Sequence, residues 1–154
     1  MFFELITLVS LNYTPVTCNI TDYYFTFLHD GDRFKVHGLW PEHCNECYKC
    51  GYPSCCKNIT FTEPEDPSNF INNNWYNTTT LEECYLHKYV SLFEHEYYKH
   101  CSCMNINSTT EFLNLIIMLF KKYYSYNVFD KCKGFHELWL SLDSNFEYKV
   151  TICK

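Results

Sequence analysis

Tyr23-Tyr24-Phe25-Thr26-Phe27-Leu28-His29-Asp30-Gly31-Asp32-Arg33-Phe34-Lys35-Val36-His37 reads as a β-hairpin. Aromatic and β-branched residues dominate 23–28 and 34–37, and His29-Asp30-Gly31-Asp32 supplies the polar turn between them. On the second strand Phe34 and Val36 share one face and Lys35 and His37 the other, so His37 points away from the apolar pair. Upstream, residues 2–12 are apolar on both alternating faces, the pattern of a central strand buried on both sides. Downstream, residues 41–74 are rich in Cys, Pro and Asn, show no period, and are expected to be loop held by cross-links. Thr80 with Glu83 forms a capping box, and Leu86, Tyr89, Val90, Phe93 and Tyr97 then recur at helical spacing. Ser108 with Glu111 opens a second helix, whose Phe112, Leu115, Ile116, Leu119, Phe120 and Tyr123 form a stripe suited to packing on the sheet. Phe146, Tyr148, Val150 and Ile152 alternate with polar residues, as in a half-buried closing strand. This order of elements is that of an α+β domain, and 1–154, free of repeats and linkers, reads as a single one.

A composition 47% hydrophobic and 19% aromatic, with four glycines, excludes a disordered or low-complexity chain. A net charge of −6 disfavours a broad phosphate-tracking surface but leaves room for a small nucleic-acid cleft. Protonating all seven histidines would carry that charge from −6 to +1, so acid conditions favour contact with a polyanion. Eleven cysteines point to a disulfide framework, and sequons at Asn12, Asn19, Asn58, Asn77 and Asn107 suit a secreted glycoprotein or one held in an endomembrane, lysosome-like lumen. Residues 1–11 carry Glu4 and no basic leader, and are read as a strand rather than a signal peptide. The apolar run 112–120 is broken by Asn114 and falls short of the ~20 residues that span a bilayer, so no membrane partner is expected.

Two constellations carry chemistry. After His37, Gly38 is expected to let the backbone turn, and Trp40 before Pro41 holds a flat ring suited to stacking on a base. In His95-Glu96-Tyr97-Tyr98-Lys99-His100, the residues His95, Glu96, Lys99 and His100 fall on one helical surface opposite the apolar stripe. Zinc would need a ligand four residues after His95, where Lys99 stands instead. Internal cleavage of RNA needs no metal, because the 2′-hydroxyl is its own nucleophile. One imidazole takes its proton and another protonates the leaving oxygen, each step contributing about 10²–10⁴-fold. A cation such as Lys99 then steadies the equatorial oxygens.

Together these runs resemble the ribonuclease T2 family. Phe34-Lys35-Val36-His37-Gly38-Leu39-Trp40-Pro41 matches its first active-site motif, and His95-Glu96-Tyr97-Tyr98-Lys99-His100-Cys101-Ser102-Cys103 its second, His-Glu-Trp-x-Lys-His-Gly-Thr-Cys. Tyr97, Cys101 and Ser102 depart from it, and Cys101 would strain the helix end if glycine is needed there for a positive φ. The resemblance implies a central antiparallel sheet flanked by helices and metal-free cleavage of single-stranded RNA through a 2′,3′-cyclic phosphate to 3′-phosphate ends, with no cofactor. It makes His37 the general acid and His100 the general base, gives His95 to phosphate, and assigns Glu96 with Lys99 to the pentacovalent state. Asn12 stands where members often carry Gln, which places a reorganised base contact there.

The same resemblance pairs Cys55 or Cys56 with Cys103, Cys132 with Cys153, and Cys18 with Cys84, leaving Cys44, Cys47, Cys50 and Cys101 without partners. Cys44, Cys47 and Cys50 with Cys55, Cys56 or His43 would make a zinc site, the alternative to disulfides in that loop. An odd cysteine count also admits a disulfide-linked dimer, so oligomeric state stays open. The rival from another class is a catalytically inactive, cysteine-rich RNA-binding or interaction protein on the same scaffold.

Overall fold

The expected hairpin is present, and longer than its sequence pattern, in the computed structural model, which describes residues 20–44, 53–78, 84–85, 87, 89–125 and 127–154. The expected strand at 2–12 with Asn12, the Thr80/Glu83 pair and Leu86 lie outside the described residues. Strands β1 (Ile20–Asp30) and β2 (Arg33–Cys44) turn on Gly31 and Asp32, with Gly31 at φ 67°, a conformation that suits a residue without a Cβ. Residues 41–44, expected in the loop, continue β2, and Pro41 pairs with Tyr23. Among the described residues β2 is an edge strand, where a missing N–H is tolerated.

The register of this pair shifts at three places, and at the one in mid-strand Phe27 faces Val36 and Thr26 faces Gly38, so His37 is an unpaired bulge residue. Before the bulge the buried positions are Phe34 and Val36; beyond it Leu39 is buried, and Trp40 is on the side of His37.

Strand β3 (Glu137–Asp143) pairs antiparallel with β1, and β4 (Tyr148–Cys153) with β3, giving a sheet of order β2-β1-β3-β4. The sequence reading leaves β3 unassigned, although Leu138, Leu140 and Leu142 alternate there and all are fully buried. The alternation expected of the closing strand is not seen. Tyr148 and Val150 are exposed on β4, which among the described residues is the other edge, and Phe146 precedes the strand and rests on Tyr23.

One sheet face carries Phe25, Phe27, Val36, Leu39 and the three β3 leucines into a single core with the helices. Helix α1 (Phe70–Asn74) interrupts the expected loop; its first N–H groups, on Phe70 and Ile71, donate to the Asp66 carboxylate. Helix α2 (Leu92–Lys99) begins a full dozen positions after the expected capping residue. Its box is Ser91 with Glu94: Ser91 Oγ accepts from the Glu94 N–H, and Glu94 Oε2 from the Val90 N–H. Val90, placed in the apolar stripe, is 79% exposed. Helix α3 (Thr109–Tyr124) is capped as expected by Ser108 and Glu111, with Phe112, Ile116, Leu119 and Tyr123 buried and Leu115 and Phe120 half-buried. A short α4 (Val128–Lys131) leads toward β3.

Among the described residues Cys56 pairs with Cys103 and Cys132 with Cys153. Cys55 pairs with Cys84 instead of Cys103, which displaces the Cys18–Cys84 expectation, and Cys101 is a buried free thiol. The pairings at Cys55 and Cys56 also remove both from any zinc site. No described helix is long and apolar enough to cross a membrane.

Candidate active site

The bulge lifts His37 out of the ladder, and β2 continues to Cys44, so Gly38 does not make the expected turn. Its missing side chain serves another purpose. A Cβ on Gly38 would lie 2.6 Å from both Glu96 Cδ and Trp40 Nε1, and closer still to Glu96 Oε2. Glycine is therefore what lets the α2 carboxylate rest on the β2 backbone.

Glu96, 1% exposed, is the hub of the site. Trp40 Nε1 donates to Glu96 Oε2 at 2.7 Å. His37 Nε2 and His95 Nε2 each lie 3.8 Å from Glu96 Oε1, and His100 Nε2 lies 3.8 Å from Oε2. These distances exceed a hydrogen bond, and the three imidazoles ring the carboxylate without bonding to it directly. The Trp40 ring sits between two of them, 4.9 Å from His37 and 5.5 Å from His100, with Trp139 edge-on at 5.2 Å. His37, Trp40, His95, Glu96, Lys99 and His100 all line one cavity of about 500 Å³, closed by Glu42, Thr78, Leu92 and Trp139. That volume suits a small organic ligand. The structure thus gathers His37, Trp40, His95, Glu96, Lys99 and His100 at one site; Asn12 lies outside the described residues.

Burial sets the proton affinities. His100 is pushed well below the ordinary imidazole range by desolvation, and the positive neighbours Lys99, His95 and His37 push in the same direction. His37 is lowered by burial too, but Glu137 opposes the shift with an Oε1 3.8 Å from His37 Nδ1. His95, Glu96 and His100 bring possible ligand atoms within 4.8 Å of one another, the one such cluster among the described residues. Their donor set fits a divalent cation as well as proton transfer.

The end of α2 is stitched to the loop at 53–62. The Cys55 N–H donates to the Lys99 carbonyl at 2.7 Å, the Cys56 N–H to Ser102 Oγ at 3.0 Å, and Cys56 is bonded to Cys103. The departures from the second motif fit here. Tyr97 is buried, with its hydroxyl donating to the Thr60 carbonyl and its phenol pushed up to about 12 by burial. Cys101 is fully buried and has no positive φ, so the strain expected there does not arise. Glu137, Trp139, Glu42, Thr78 and Leu92 went unnoticed in the sequence, and of these Glu137 and Trp139 had a signal, the alternation of β3.

An α+β scaffold thus converges three imidazoles on one buried carboxylate, with Lys99 lining the same cavity. A profile described as the ribonuclease T2 family matches residues 5–134, and the chain belongs to that family. A "Ribonuclease T2-like" protein of Candida glabrata is 36% identical over 87 residues, a stretch covering 48% of this chain and 19% of that protein. The chain thus spans about a fifth of the curated relative it matches. Among solved structures, an RNase-related protein from Calystegia sepium superimposes with a TM-score of 0.57 at 15% identity, covering 84% of this chain and 89% of that one, a likeness of fold.

Proposed function

We propose that the protein is an endoribonuclease that cleaves single-stranded RNA by metal-independent transesterification. The observation that carries this reading is the pair of buried-side imidazoles, His37 and His100, set 3.8 Å from opposite oxygens of Glu96 with His100 held at the lower proton affinity. His100, neutral in acid, takes the 2′-proton as the 2′-oxygen attacks phosphorus. His37, protonated, gives its proton to the 5′-oxygen as the P–O5′ bond breaks, leaving a 2′,3′-cyclic phosphate. In the hydrolytic step His37 takes a proton from water and His100 returns one to the 2′-oxygen, giving a 3′-phosphate. Lys99 supplies positive charge to the equatorial oxygens, and His95 binds phosphate. Glu96 holds Trp40 and the three imidazoles in register and shares with Lys99 the stabilisation of the pentacovalent state. Trp40 and Trp139 offer aromatic surfaces beside the cleft for a base. The disulfides, and exposed sequon residues Asn58, Asn77 and Asn107, support a secretory or lumenal setting.

The test is incubation with a short single-stranded RNA in excess chelator. Cleavage to cyclic phosphate ends that disappears in His37→Ala and His100→Ala supports the reading. RNA binding without cleavage would establish the inactive-scaffold alternative, and cleavage lost to chelator would move the His95, Glu96 and His100 cluster to metal chemistry.

A further inference from the structure

His37 has a carboxylate on each side. Its Nε2 faces Glu96 across the cleft, and its Nδ1, a buried nitrogen with no hydrogen-bond partner, faces Glu137 Oε1 at 3.8 Å. Glu137 opens β3, and the same oxygen accepts a 2.7 Å hydrogen bond from Trp139 Nε1. Trp139 is in turn wedged between Trp40 and Tyr24, with Lys154 Nζ 2.9 Å from its ring centroid. Main-chain hydrogen bonds run both ways between Glu137 and Lys154. The Glu137 carboxylate is therefore fixed from behind and aimed at the ring from the side away from the reacting nitrogen.

We propose that Glu137 is a positioning residue for His37: it holds the imidazole with Nδ1–H toward β3 and Nε2 toward the scissile bond, and favours the protonated ring that an acid must start from. The inference rests on the ribonuclease reading of this cleft. A gap of 3.8 Å closes to a hydrogen bond with about 1 Å of movement, and such contacts in empty sites commonly tighten when substrate binds. The charge argument has the same sign. Burial disfavours imidazolium at His37, and the charged groups around it are Glu96, His95, Lys99 and His100 from α2, Glu42 from its own strand, Glu137 from β3, and Lys154 beyond Trp139. Glu96 is shared among three histidines and Trp40, whereas among the described ion pairs Glu137 has His37 as its partner. Fixing the tautomer through the far ring nitrogen is how a histidine's reacting nitrogen is specified.

Glu137→Gln keeps an oxygen for the Trp139 N–H and removes the charge. The His37 titration is followed by imidazole NMR, and kcat/KM by pH on a dinucleoside phosphate. The expected result is a fall of about one unit in the His37 midpoint and a matching move of the alkaline limb to lower pH. Glu137→Asp, which keeps the charge, should restore much of both. A His37 midpoint unchanged in Glu137→Gln overturns the proposal even if activity falls. Nitrogen shifts of the unaltered protein give an independent reading: neutral His37 protonated on Nδ1 is expected, and protonation on Nε2 refutes the assignment. Both NMR measurements stand whether or not RNA is cleaved, so failure of the ribonuclease reading is separately visible.

Discussion

Gly38→Ala adds one methyl group to β2 and tests whether the position of the buried carboxylate, rather than its mere presence, sets the rate. The new carbon would meet Glu96 Cδ and Trp40 Nε1 at 2.6 Å, where ordinary contact needs about 3.5 Å. Glu96 must then retreat by about 1 Å or more, since its Oε2 is closer still, and it cannot simply swing into water, because it is 1% exposed and surrounded by His37, His95, His100 and Trp40. Displacement of a catalytic group by that distance typically costs about 10²-fold in rate, and overpacking of this kind about 1–3 kcal/mol of stability. The assay is kcat on a dinucleoside phosphate at the pH optimum, with thermal unfolding followed by circular dichroism on the same sample. The expected pattern is a loss of about 10²-fold in kcat in a protein that still melts cooperatively. A folded Gly38→Ala variant with kcat within about twofold of the parent would refute the role given to the Glu96 hub.

The pH profile of kcat/KM should be bell-shaped with its maximum below 6.5: protonating His100, whose affinity is depressed, removes the base on the acid side, and deprotonating His37, also lowered, removes the acid on the alkaline side. A flat rate from pH 4 to 9 would exclude the two-histidine assignment. Trp40→Phe keeps an aromatic ring but deletes the 2.7 Å hydrogen bond to Glu96, so kcat should fall about 10-fold or more; a raised KM at unchanged kcat would show that the ring serves stacking alone. Cys56→Ser with Cys103→Ser opens a cross-link spanning 47 residues and should lower unfolding free energy by about 2–4 kcal/mol in denaturant titration, with no change indicating a bond not formed in solution.

Local signals were readable where they were complete within a few residues. The Gly31-Asp32 turn and the Ser108/Glu111 box each satisfy their own hydrogen bonds, and both lie where the sequence puts them. The start of α2 was misplaced because Thr80/Glu83 and Ser91/Glu94 carry the same signature, and Val90, counted in the apolar stripe, precedes the helix and is 79% exposed. Strand β3 had a strict alternation that went unread, and with it Glu137 and Trp139. The motif residues of the cleft were legible because their types are tied to proton transfer. Gly38 was not, since its reason is a side chain 58 positions away that only the packing of α2 on β2 brings near.

Strict two-residue alternation from Val36 would send Trp40 into the core and Leu39 into the cleft. The extra residue at His37 shifts the phase, so β2 behaves as two strands spliced half a period apart. The geometry of the cleft is thereby written as a count of residues. One residue inserted into β1 between Thr26 and Phe27 would give His37 a partner and bring the two halves back into step. The chain beyond would then have to choose between burying its tryptophan and keeping its hydrogen-bond ladder. A change far smaller than the loss of any named side chain, and made on a strand that contributes none of the cleft's histidines, would rotate the later half of the first motif out of the site.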